Sequence, residues 1–155
     1  MIILFLLSFS FNIFLILRIR HKNMQLIELS DLYEKQKKLY GILNNIFRMR
    51  QKNISIARWL KEKGYTKIAI YGMHFVGQRL FDVLIEEDIN IVYLIDQKKG
   101  GQYRDVKICA PSDKLEKVDA LIITPVSYYN EIFIDMQKRI DCVILSVEDL
   151  LEEAG

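Results

Sequence analysis

From Lys67 to the C-terminus, short runs of β-branched and aromatic residues alternate with stretches of helical periodicity, and that alternation constrains the chain more than any other feature. It is the signature of βαβ units built on a mainly parallel sheet. The first run, KIAIY at 67–71, precedes a helical stretch from Phe75 to Glu87 with Val76, Leu80, Val83 and Leu84 on one face. IVYLI at 91–95 is a second strand, Gly100 and Gly101 open a loop, and Val106 to Cys109 is a brief third. Pro111 and Ser112 introduce a short helical turn before a fourth strand, ALII at 120–123. A helix from Ser127 to Arg139, a fifth strand CVIL at 142–145, and a last helix capped by Ser146 with Asp149 three residues on complete the pattern. Right-handed crossovers then predict a three-layer α/β domain over 64–155, with a parallel five-stranded sheet in the order 3-2-1-4-5.

In such a sheet ligands bind beyond the C-terminal ends of strands 1 and 4, where the order reverses. Three places in the sequence fall there. Gly72-Met73-His74-Phe75-Val76-Gly77 follows strand 1 and matches G-x-G-x-x-G at its first and third glycines, with His74 at the second. The first glycine serves the tight turn and the third allows close helix-strand packing. The second normally lets a pyrophosphate approach the backbone, and here a side chain stands in its place. The helix N-terminus still offers free N–H groups to an anion, with His74 as an added donor. Asp96, 24 residues after Gly72, ends strand 2, where a carboxylate accepts hydrogen bonds from ribose hydroxyls. Lys98 and Lys99 follow, either to reach a phosphate or to face water. Thr124 leaves strand 4 at the same crevice, ahead of Ser127 as a helix cap and of Tyr128 and Tyr129, of which one is expected to stack on a base or sugar and the other to pack.

Ahead of this domain the charge is lopsided. Residues 1–17 carry none, residues 18–63 hold 12 Lys/Arg against 4 Asp/Glu, and residues 64–155 hold 10 against 16. The apolar run 1–17 is expected to be an uncleaved transmembrane anchor at the short end of a span. The basic cluster Arg18, Arg20, His21 and Lys22 would keep the rest at the cytoplasmic face of a bacterial inner membrane. A start at Met24 would instead give a soluble cytoplasmic chain. Residues 18–63 form a basic amphipathic linker: Leu26, Leu29, Tyr33, Tyr40, Leu43 and Phe47 recur in near-heptad spacing over 24–50, followed by a short helix around Trp59 capped by Ser55. That stripe suits docking on the chain's own domain, a homodimer, or recruitment of a glycosyltransferase by a non-catalytic membrane-associated scaffold. The basic residues suit anionic membrane lipid. Nucleic acid is not expected as a partner, because no DNA- or RNA-binding signature accompanies them and the domain behind them is acidic.

Catalytic motifs are sparse. Tyr-x-x-x-Lys occurs at Tyr33–Lys37 and Tyr103–Lys107, both away from the helix that a short-chain dehydrogenase would use, and no G-x-S-x-G, Walker A or HExxH sequence is present. Cys109 and Cys142 fall in or beside strands as small core residues, and with His21 and His74 they form no metal-ligand spacing. Binding without chemistry, and without a metal, is the expectation.

The segments KIAIYGMHFVGQRLFDVLIEEDINIVYLID, VDALIITPVSYYNEI and CVILSVEDLLEE resemble the small Rossmann-like domains of bacterial surface (capsular) polysaccharide biosynthesis proteins. These are similar to the nucleotide-sugar-binding N-terminal domain of sialic-acid-type and bacillosamine-type acetyltransferases. The resemblance covers Lys67 to about Glu153. It implies a nucleotide-binding module that takes NAD(P) or a nucleotide-sugar, with Gly72, Gly77 and Asp96 lining the site, and departs from the family pattern at His74.

Overall fold

The computed structural model describes residues 1–97 and 100–155, the side chains of 2–8 and 10 excepted. The chain divides into two units, Met1–Lys38 and Leu39–Gly155. Apart from Met1, the first unit lies within the helix α1, Ile2–Gln51, whose residues from Leu39 onward belong to the second. Among the described residues no helix is long and apolar enough to cross a membrane. This overturns the expected single N-terminal span at the cytoplasmic face of the inner membrane. The uncharged run ends at Arg18, short of the roughly 20 apolar residues that a span requires.

The second unit is an α/β structure with a six-stranded, mostly parallel sheet in the order β3-β4-β2-β1-β5-β6. Its strands are β1 Lys67–Tyr71, β2 Asn90–Ile95, β3 Gln102–Tyr103, β4 Val106–Cys109, β5 Ala120–Ile123 and β6 Val143–Ser146. The count and order correct the five-stranded expectation. The two-residue β3 pairs antiparallel with β4 through Gln102–Lys107 and Tyr103–Val106, and adds an edge too short to leave a pattern in the sequence. Positive φ at Arg104 and Asp105 makes the tight return between them. The central strand β1 pairs parallel with β2 on one side and β5 on the other.

Alternation along these strands separates two cores. Ile68 and Ile70 of β1 and Ala120 and Ile122 of β5 face α3 (Phe75–Glu86), α2 (Ile56–Glu62), α5 (Val147–Ala154) and the end of α1. Ala69, Tyr71, Leu121 and Ile123 face the opposite way, onto Met136, Ile132 and Phe133 of α4 (Tyr129–Met136). Both faces being covered, β5 is buried at all four positions.

Helix ends follow local chemistry. The Ser55 hydroxyl accepts from the Arg58 N–H and caps α2, and Ser146 does the same for α5 through the Asp149 N–H at 3.0 Å. The helix expected from Ser127 instead opens with a 3-10 turn at Val126–Tyr128 and becomes α-helical only at Tyr129, with no side-chain cap. The stretch after Pro111 is a turn, in which the Asp113 carboxylate accepts from the Ala110 N–H. From α1, the residues buried in the core are Ile42, Ile46 and Met49, while Leu26, Leu29, Tyr33, Tyr40 and Phe47 of the expected stripe are exposed.

Candidate functional site

A crevice of about 640 Å3 opens at the C-terminal end of the sheet, between the segments leaving β1, β2 and β5. From the first come Tyr71, Gly72 and His74, from the second Asp96 and Gln97, from the third Pro125, Tyr128, Glu131, Ile132 and Asp135. It lies where strand order reverses, since β1 neighbours both the strand that follows it and the distant β5.

The turn after β1 is held by a dense set of backbone contacts. Gly72 has φ +91°, and a Cβ there would come within 2.6 Å of the Pro125 ring and 2.8 Å of Thr124 Oγ1, so both conformation and space require glycine. A Cβ on Gly77 would fall on the Gly72 carbonyl oxygen. These two glycines let α3 start directly against the strand it follows. Thr124 is buried, and its hydroxyl is shared between the carbonyls of Tyr71 at 3.0 Å and Gly72 at 2.8 Å, clamping the end of β5 to the turn. The Gly72 N–H donates to the Ile95 carbonyl, which ties the same turn to β2.

The remaining expected residues separate by role. The Asp96 carboxylate accepts from the Met73 N–H at 2.9 Å, and the Met73 side chain belongs to the core. His74 is the N-cap residue of α3, exposed and making no side-chain capping bond, and it lines the crevice. Phe75 is exposed beneath the Arg79 guanidinium, 5.3 Å from its ring centroid, and does not line the crevice. Lys98 and Lys99 lie outside the described residues.

Three carboxylates, Asp96, Glu131 and Asp135, line the crevice with no Lys or Arg among its described lining residues. Arg139 answers Asp135 in a two-bond pair at 3.0 and 3.1 Å. Burial, then the carboxylates of Asp135 and Asp96, push the Tyr71 phenol above its usual range, so it stays protonated over the physiological range. The arrangement offers hydroxyl-accepting carboxylates, a phenol, the Tyr128 ring and the start of α3. Burial also raises the Cys142 thiol, which disfavours the thiolate a nucleophile would need. No metal-holding group of three His, Cys, Asp or Glu occurs among the described residues.

Tyr71, Gln97, Glu131 and Asp135 were not singled out in the sequence. Glu131 and Asp135 are four apart on one helix face, but that signal acquires meaning only once α4 is known to flank the crevice.

Residues 64–146 match the family described as C2185-like, N-terminal. No curated protein and no solved structure matches the chain.

Proposed function

The chain belongs to the C2185-like, N-terminal family, and on that premise we propose that its second unit is a Rossmann-like binding module for a nucleotide ligand, either NAD(P) or a nucleotide-sugar. The observation that carries this reading is convergence: Gly72, His74 and Asp96 line one crevice at the sheet's reversal point, with Thr124 bracing its base. The residues fit such a ligand. Carboxylates of Asp96, Glu131 and Asp135 accept from ribose or sugar hydroxyls, Tyr128 stacks on a ring, and the N–H groups opening α3 face the anionic part with His74 beside them. Service to bacterial cell-surface polysaccharide biosynthesis is part of the proposal and rests on the sequence resemblance alone.

Titration of the isotope-labelled full chain with NAD, NADP, UDP-sugars and GDP-sugars, followed by NMR, tests it. Saturable shifts centred on Gly72, His74, Asp96 and Tyr128 are expected for at least one ligand. Unmoved resonances there with all of them would overturn the reading.

A further inference from the structure

We infer that the crevice selects its ligand by charge, with Glu131 as the specificity-determining residue. It accepts a pyrophosphate-linked nucleotide whose far end is a hydroxyl-bearing group free of negative charge, and it rejects one that ends in a carboxylate, such as a uronic acid. This rests on the nucleotide reading of the crevice and narrows the class of ligand within it.

Charge changes sign twice along the site. In the sheet β1 lies between β2 and β5, so the turn after β1 is flanked by the segments leaving those two strands. Asp96 stands on the β2 side, and Glu131 and Asp135 stand on the β5 side. Between them α3 opens after His74, and its first N–H groups have no acceptor within their own helix. Such an order is complementary to a ligand whose anionic part is central and whose two ends carry hydroxyls. The two sides also converge. Besides burial, the charges of Asp135 and Asp96 both raise the Tyr71 phenol, so both carboxylates lie within electrostatic reach of one hydroxyl.

The three carboxylates are not equally committed. Asp96 accepts from the Met73 amide, and Asp135 is engaged at both oxygens by Arg139. Glu131, exposed on the first turn of α4, makes no ion pair among the described residues. Its neighbours in the wall, Pro125, Tyr128 and Ile132, supply apolar and stacking surface and no cation. Inside a crevice with protein walls, an unneutralised carboxylate repels a second anion more strongly than it would in open water. Rejection by an unpaired like charge is a direct source of specificity.

The test uses the full chain and pairs of ligands that differ by one terminal carboxylate: UDP-glucose with UDP-glucuronate, GDP-mannose with GDP-mannuronate, and NAD with nicotinate adenine dinucleotide. Calorimetric titration at low salt should show, for a pair that binds, a preference of about tenfold or more for the member lacking the carboxylate, narrowing at high salt. Glu131→Gln should reduce that preference to about threefold or less, and Glu131→Lys should invert it. Thermal midpoints close to that of the unsubstituted chain show that both variants remain folded. Equal or tighter binding of the acidic member, or a preference that Glu131→Gln leaves whole, would overturn the inference and leave the nucleotide reading standing. No binding by any of these ligands would overturn both.

Discussion

The carboxylate of Asp96 accepts a 2.9 Å hydrogen bond from the backbone N–H of Met73, so the end of β2 holds the first turn after β1. A charge-assisted bond to a half-buried backbone amide is worth about 1.5–3 kcal/mol. Asp96→Ala should lower unfolding stability by that order, measured by urea denaturation, and Asp96→Asn, which retains an acceptor, should cost less. Any loss of ligand binding in Asp96→Asn beyond its stability loss would isolate the carboxylate's role toward ligand hydroxyls.

Two glycines should respond oppositely to a methyl group. Gly77→Ala drives its Cβ into the Gly72 carbonyl, and overpacking against rigid backbone costs about 1–3 kcal/mol. Gly41 lies inside α1 with nothing within 4 Å of an added Cβ. Gly41→Ala should therefore stabilise the chain by about 0.5–1 kcal/mol through helix propensity. Midpoints of thermal unfolding check both signs.

Tyr93 should make the fold sensitive to alkali. Its ring is buried and its hydroxyl donates to the Glu116 carbonyl at 3.1 Å, while burial pushes its pKa up to about 12 from the ordinary 10.0. The unfolded chain then loses this proton first. The contribution is fully present below about pH 10, falls as pH rises toward about 12, and is level above that. Tyr93→Phe should flatten this part of the stability profile and remove one late-titrating group from the tyrosinate absorbance of the native protein, in which the Tyr71 and Tyr129 phenols are also raised.

Glu87 joins α2 to the end of α3. One of its oxygens accepts from Ser55 Oγ at 2.7 Å and from the Ala57 N–H at 2.9 Å, while Ser55 itself caps α2. Ser55→Ala should cost about 1 kcal/mol. Because the two side chains share one network, Ser55→Ala with Glu87→Ala should cost less than the separate losses combined, as a double-mutant cycle would reveal.

At the N-terminal end of the sheet, Asp119 binds the start of β1. Its carboxylate accepts from the N–H groups of Lys67 at 2.7 Å and Thr66 at 2.9 Å, and those bonds hold its pKa below the ordinary 3.8. Its stabilising contribution is present above that ordinary value and is lost as pH falls through the lower folded one. Asp119→Asn should remove this acid-side dependence, and the slope of stability against pH below 4 is the readout.

The sequence by itself determined the α/β class, the positions of β1, β4 and β5, and the caps at Ser55 and Ser146. Each follows from near-neighbour physics: β-branched runs of strand length, glycine where a turn must be tight, and a hydroxyl three residues ahead of an orphan N–H. Only the tertiary structure decided which of two apolar stripes on α1 enters the core. Ile42, Ile46 and Met49 join the core while Tyr40 and Phe47 stay exposed, because their packing partners come from elements distant in the chain. It also decided that Asp96 bonds the Met73 amide, that the Thr124 hydroxyl donates to the Tyr71 and Gly72 carbonyls, and that Glu131 and Asp135 share a crevice with Tyr71. Those relationships join segments far apart in the chain, which local periodicity cannot encode.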